Sequence, residues 1–151
     1  MTLSVVSASP EQTMTIAETI GRQLRGGEVI ELVSDLGGGK TTLTHGLAKG
    51  IDSPDRVASP TFTVSKLYVG KKLEMYHFDF YRLAEPGLME HELQDVLGDP
   101  SIVIVVEWGS VMAHVLPDER LTIHLKSIGD TERNLEITYP EKLKYLVEKL
   151  A

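Results

Sequence analysis

The sequence predicts an α/β fold in three layers, with a mixed parallel and antiparallel sheet between helices. Three observations predict it. Short apolar runs alternate with stretches of helical spacing. A glycine-rich loop joins one such run directly to a helix. The segment Gly70-Lys71-Lys72 links two neighbouring runs as a hairpin. Strand-helix units give parallel pairing and the hairpin gives antiparallel pairing, so the sheet is mixed. With 151 residues, the chain has the length of one domain able to bury its own core, and a single domain over 1–151 is expected.

After a short apolar opening at Leu3 to Val6, Ser9 can cap a helix, Pro10 suits its first position and Gln12 stands three residues after the cap. Ile16, Ile20 and Leu24 line one face of that helix, and Arg25-Gly26-Gly27 is expected to end it. Val29 to Val33 reads as a strand buried on both faces. Thr41 to Lys49 is the next helix, with Gly50 as its stop, followed by a loop over 52–60 with two prolines. Phe62 to Tyr68 and Leu73 to Phe78 are the hairpin strands. Glu85 to Leu97 has helical spacing and closes at Gly98-Asp99-Pro100, before the very apolar run Ile102 to Val106, expected to be a central strand. Leu121 to Leu125 and Leu135 to Thr138 are two further strands. Pro140 opens a final helix whose Leu143, Leu146, Val147 and Leu150 share a face.

Composition narrows the function. A hydrophobic fraction of 42% and a charged fraction of 25% belong to a globular chain. The sequence has no cysteine, which excludes disulfides, thiolate metal sites and cysteine nucleophiles. Met1 to Ser9 lacks a basic region followed by a long apolar stretch, and no segment approaches the roughly 20 apolar residues that span a bilayer, so a cytoplasmic location without membrane contact is expected. The net charge of -7 repels a nucleic-acid backbone on average, so any RNA in the biology is expected to be held by a basic partner.

The chemistry concentrates in Ser34-Asp35-Leu36-Gly37-Gly38-Gly39-Lys40-Thr41-Thr42, between a predicted strand and a predicted helix. Gly37, Gly38 and Gly39 let the backbone turn its N-H groups inward, and the helix adds unpaired N-H groups and the positive end of its dipole. A polyphosphate fits that pattern, which makes the fold P-loop NTPase-like and the expected ligands ATP or GTP with Mg²⁺. Lys40 would reach the β- and γ-phosphates, the Thr41 hydroxyl would complete Mg²⁺ coordination, and Thr42 continues the phosphate site. Ser34 stands where the G-x-x-x-x-G-K-[ST] pattern has its first glycine, and serine fits only if the turn does not require a strongly positive φ. Two acids end predicted strands, Asp79 after Leu73 to Phe78 and Glu107 after Ile102 to Val106. Each could hold Mg²⁺ directly or through water. Thr61, in Ser59-Pro60-Thr61, could sense the γ-phosphate as switch loops do, with a plain proline turn as the alternative. His77 reads as a strand residue, Trp108 as packing beside a core strand, and Lys71-Lys72 as a solvated hairpin tip.

Asp35 to Thr42, then Ser59-Pro60-Thr61-Phe62-Thr63, then His77-Phe78-Asp79-Phe80-Tyr81-Arg82-Leu83, then Glu107-Trp108 resemble, in order and spacing, the bacterial TsaE (YjeE) family. The resemblance runs from about Ser9 to Leu125, and the His77 to Leu83 segment followed by Glu107-Trp108 is its most particular part. It implies a small ATPase required for threonylcarbamoyladenosine modification of tRNA at position 37, supporting turnover by a TsaD-TsaB complex. It further implies that Gly37 to Thr42 form the phosphate loop, that Thr41 and Glu107 are Mg²⁺ ligands, and that Asp79 is a metal-side or water-positioning acid. Thr61 would be the switch threonine, and Ser9 and Arg133 would border the nucleotide. Two other readings use the same loop. A small-molecule kinase would need a second substrate pocket and more cationic groups; a nucleotide-regulated interaction module would need no hydrolysis.

Overall fold

A computed structural model of the chain describes residues 1–34, 39–54, 65–80 and 87–150. Their order is β1 (Thr2–Ser7), α1 (Pro10–Gly21), β2 (Val29–Val33), α2 (Lys40–Gly50), β3 (Ser65–Val69), β4 (Glu74–Asp79), α3 (Gly87–Val96), β5 (Ile102–Glu107), β6 (Leu121–Ser127) and β7 (Arg133–Thr138). A 3-10 turn at Gly109–Met112 follows β5, and two more, Glu141–Leu146 and Glu148–Leu150, close the chain. One sheet carries seven strands in the order β1-β7-β6-β2-β5-β4-β3. Its centre, β6-β2-β5-β4, is parallel, and its flanks are antiparallel. The expected mixed sheet is present.

Side chains alternate across each strand, so β2, β4 and β5 feed two cores. Ile30, Leu32, Met75, Val103 and Val105 pack under α1 and α2. Val29, Phe78, Ile104 and Val106 pack on the other face with Leu93 of α3 and Met112. The apolar runs of β2 and β5 lack polar alternation because both faces are covered.

Helix α1 begins as its sequence dictates. Ser9 Oγ accepts from Gln12 N at 3.1 Å, and Gln12 Oε1 accepts in return from Ala8 N, one residue before the cap. It ends sooner than Arg25-Gly26-Gly27. After Gly21 the backbone closes i to i+3, through Gln23 N to Ile20 O and Leu24 N to Gly21 O, and the buried Glu28 carboxylate then accepts from Arg25 N and Gly26 N. Gly50 likewise does not stop α2 by a left-handed turn. It is the last helical residue, and Asp52, at φ 62°, takes the left-handed position of a Schellman closure in which Asp52 N reaches Lys49 O and Ser53 N reaches Ala48 O. Gly50 serves packing instead: a Cβ there would stand 2.6 Å from Gly21 Cα and 2.7 Å from Glu18 O.

The C-terminal segment corrects the expected helix after Pro140. Its bonds are Leu143 N to Pro140 O, Val147 N to Lys144 O and Leu150 N to Val147 O, all i to i+3. Three residues per turn bring Leu143 and Leu146 onto one side, where both are buried against the sheet. Tyr145 fixes the segment in place: its hydroxyl donates to Glu28 Oε2 at 2.6 Å, and the Arg25 guanidinium lies 3.9 Å over its ring. Burial, followed by the bond to Glu28 and its charge, holds the Tyr145 phenol above the ordinary phenol range.

Two outcomes follow from this packing. Gly50→Ala sets a methyl against backbone that cannot rotate away, and the overpacking, about 1–3 kcal/mol, should exceed the roughly 1 kcal/mol alanine gains in helix propensity. A lower denaturant midpoint is expected; an unchanged or raised one would mean that α1 and α2 have room to part. Tyr145→Phe should lose about 1 kcal/mol of stability. Because the phenol is raised in the folded chain, that contribution is whole below the unfolded phenol's ordinary value of 10.0 and fades as pH rises toward the raised folded value. Unfolding curves of the two chains should therefore differ by a constant amount at neutral pH and converge in strong alkali; a difference that grows in alkali would overturn the assignment.

Candidate functional site

The parallel strands β2, β4, β5 and β6 end at the same edge of the sheet, where ligands of such sheets gather. Strand β1 runs antiparallel to β7, and β7 antiparallel to β6, so Ser7 ends and Arg133 begins at that edge as well. The pairing therefore brings Ser9, Ser34, Asp79, Glu107 and Arg133, distant in sequence, to one rim of the molecule.

Helix α2 starts on that rim from Gly39, whose φ of 103° suits glycine, and among the described residues no side chain caps it. The first N-H groups of a helix have no intrahelical acceptor, so the turn holding Lys40, Thr41 and Thr42 has donors to offer a ligand. Lys40 is 7% exposed. Its ammonium lies 3.4 Å from Ser34 O, 4.0 Å from Glu107 Oε1 and 4.2 Å from the centre of the Trp108 ring. Ser34 is outside the left-handed region, so serine in place of the pattern's first glycine is accommodated without strain. Thr41 is exposed on the first turn, and Thr42 is half-buried.

The two strand-end acids are register neighbours, Asp79 on β4 opposite Glu107 on β5, and are 8% and 3% exposed. Alternation fixes their side. Asp79 shares parity with Met75, and Glu107 shares parity with Val103 and Val105, so both face the α1-α2 layer in which Lys40 begins its helix. His77 shares that parity. It is fully buried, with Nε2 2.7 Å from Glu107 Oε2.

A cavity of about 220 Å³ opens beside Lys40, lined by Glu31, Leu32, Val33, Ser34, Trp108 and Ser110. Glu31 is held there by Arg120 Nε at 3.0 Å. A second hollow, about 170 Å³, lies against Pro10, Thr13, Gly39, Thr42, Thr131 and Arg133. Its wall is tied together by Thr131 Oγ1, which donates to Ala8 O at 3.2 Å, and by Arg133, whose Nη1 donates to the carbonyl of Gly129 at 3.1 Å and that of Glu132 at 2.9 Å.

Of the residues expected from sequence, Lys40, Asp79 and Glu107 come together at the strand ends, and Gly39, Thr42 and Arg133 come together around the second hollow. Ser9 flanks that hollow, but its hydroxyl is engaged as the α1 cap. Gly37, Gly38 and Thr61 lie outside the described residues. From sequence, His77 reads as a strand residue at the head of the family-like segment and Glu31 has no assigned role, yet both stand at this edge. The signal for His77 was its spacing of two from Asp79, which places both on one face of a strand; for Glu31 it was a lone charge within the apolar run of β2. Trp108 was read as packing. It does pack against the second core, and it also sits at φ 59° with its ring beneath Lys40.

Comparison with known proteins decides the family. The model of the family described as threonylcarbamoyl adenosine biosynthesis protein TsaE matches residues 7–135. The chain belongs to the TsaE family. It is 40% identical over 136 residues to the tRNA threonylcarbamoyladenosine biosynthesis protein TsaE of Bacillus subtilis, covering 87% of this chain and 82% of that protein. It is 35% identical over 133 residues to the protein of the same name from Treponema pallidum, covering 87% and 97%. The crystal structure of Bacillus subtilis YdiB superposes with a TM-score of 0.78 at 35% identity, over 99% of this chain and 94% of that one. The family resemblance carried by the His77 and Glu107-Trp108 segments thus coincides with the residues that meet at the sheet edge.

Because the sequence has one tryptophan, its emission reports on the Lys40 ammonium above the ring. Lys40→Met, without any added ligand, is expected to shift the emission of Trp108 while leaving the melting temperature within a few degrees. An identical spectrum in the folded variant would show that the cation does not rest there in solution.

Proposed function

We propose that this TsaE-family chain is a Mg²⁺-dependent ATP-binding protein and ATPase of tRNA threonylcarbamoyladenosine biosynthesis. On this reading it acts in the cytoplasm with TsaD and TsaB and supports their turnover in modifying position 37. The observation that carries this is the meeting of Lys40, at the uncapped start of α2, with the buried strand-end acids Glu107 and Asp79.

The residues fit the ligand. A polyphosphate needs donors and positive charge, which the first turn of α2 and Lys40 supply. Two carboxylates beside one hydroxyl-bearing turn suit Mg²⁺, which is commonly held by one or two acids while sharing its remaining positions with phosphates and water. Thr41 and Glu107, with Asp79 at their side, are the residues that would hold Mg²⁺, whose chemistry there is to neutralise charge building on the phosphate oxygens. Lys40 would orient the β- and γ-phosphates, Asp79 would hold or position the attacking water, and Thr61 would sense the γ-phosphate. Gly39, Thr42 and Arg133, with Ser9 flanking, would border the rest of the nucleotide. Such a site works by positioning and electrostatics, which a partner protein can complete. Weak hydrolysis by the isolated chain and stimulation by TsaD and TsaB follow from that. The acidic net charge agrees with tRNA held by those partners rather than by this chain. Among the described residues no helix is long and apolar enough to cross a membrane.

The test is phosphate release from ATP with Mg²⁺, by the chain alone and with TsaD and TsaB, alongside modification of a suitable tRNA. Hydrolysis stimulated by the partners, together with repeated rounds of modification, is expected. Lys40→Met should lower the stimulated rate by about 10²-fold or more with the fold retained. Unchanged turnover in that variant would sink the assignment. Nucleotide binding that alters docking to TsaD and TsaB without any hydrolysis would favour a regulatory module instead.

A further inference from the structure

His77 is a buried polar side chain to which the proposed roles give no part. It is 0% exposed, on β4, with its ring against Glu107 of the neighbouring β5. Register explains the reach. His77 pairs with Val105 and Asp79 with Glu107, so His77 and Glu107 are diagonal neighbours on the same face of a parallel pair.

The atoms fix the tautomer. Glu107 Oε1 faces the Lys40 ammonium at 4.0 Å, an ion pair without a hydrogen bond, and Oε2 lies 2.7 Å from His77 Nε2; a carboxylate offers that contact only an acceptor, so Nε2 carries the hydrogen. His77 Nδ1 then remains a bare acceptor, and among the described residues it has no hydrogen-bond partner. The opposite tautomer would set a lone pair against a carboxylate and bury an N-H without an acceptor, two penalties instead of one.

We propose that His77 is a positioning residue for Glu107. Its Nε2-H fixes one carboxylate oxygen, which sets the plane of the group and presents Oε1 to the side where Lys40 lies. This rests on the reading of Glu107 as a metal-side acid. A carboxylate at a strand end rotates about its own side-chain bonds, and a ligating carboxylate is ordinarily held by a further hydrogen bond that orders it before the ion arrives. A neutral imidazole suits the task, since it donates without adding a second cation beside Lys40.

The experiment measures binding of a fluorescent ATP analogue to the full chain, in EDTA and in Mg²⁺, together with thermal unfolding. The variants are His77→Leu, which keeps bulk without a donor, His77→Gln, which restores a donor, and Glu107→Gln. If His77 positions Glu107, His77→Leu should lose about 10- to 100-fold of the affinity gained on adding Mg²⁺, while its affinity in EDTA stays within about twofold of the unaltered chain, and His77→Gln should recover much of the loss. A merely structural histidine would lower the melting temperature and affect both affinities alike, which would overturn the proposal. If Glu107→Gln loses the Mg²⁺ gain and His77→Leu keeps it, the positioning role fails while the reading of the site stands. If Glu107→Gln keeps it, that reading fails and takes the positioning role with it. Nitrogen-15 spectra of the unaltered chain supply a check that needs no variant to fold: an Nε2-H tautomer is expected, and an Nδ1-H tautomer overturns the proposal.

Discussion

A carboxylate withdrawn from water needs compensating partners, since unpaired burial of a charge is among the largest penalties a fold can carry. Glu107, 3% exposed at the end of five apolar residues, meets that constraint, and much of the surrounding arrangement follows from it. Lys40 approaches one of its oxygens and His77 the other. For Lys40 to do so, α2 must begin beside the end of β5, which requires β2 to lie next to β5 and parallel to it, as it does. For His77 to do so, β4 must pair with β5 in the register that sets Asp79 opposite Glu107. One buried group thus ties together the order of three strands and the starting point of one helix.

The same arrangement leaves Lys40 with partners of modest strength. Among the described residues, a carbonyl at 3.4 Å, a carboxylate oxygen at 4.0 Å and an aromatic face at 4.2 Å surround the ammonium without any short ion pair. A polyphosphate brings several negative oxygens, so a lysine held this loosely can exchange its partners for phosphate oxygens at little cost. The first turn of α2 is similar, since its N-H groups gain most from an anion where, among the described residues, no side chain already satisfies them.

Much of the fold was legible because its signals are local. The apolar runs of β2 and β5, the Ser9 cap of α1 and the hairpin at Gly70-Lys71-Lys72 each announce themselves within a few residues. The errors fell where a distant partner decides. Leu143, Leu146 and Val147 have spacing that suits an α-helix and a run of 3-10 turns alike, and the hydroxyl of Tyr145 is anchored by Glu28, 117 residues earlier. Gly50 looks like a helix stop, but its function is set by Gly21 on another helix. At the site, Lys40, Asp79 and Glu107 were legible from motif and strand ends. His77 was not, because its neighbour lies on another strand, and register is a property of the pair.

Helix α2 also divides the rim in two. Lys40 turns toward Glu107 and Trp108, whereas Gly39 and Thr42 border the hollow shared with Arg133 and Thr131. Two residues along an α-helix rotate by about 200°, so Lys40 and Thr42 necessarily address opposite sides of its first turn. A ligand that is all phosphate would engage the first side and leave the second without purpose; a ligand that is all base and sugar would do the reverse. A molecule joining a polyphosphate to a larger, less charged part matches both. One wall of that hollow comes from the start of α1 and the turn leading into β7, which the Thr131 to Ala8 bond joins, and the other comes from Gly39 and Thr42, so the start of α2 is shared between the two sides of the rim.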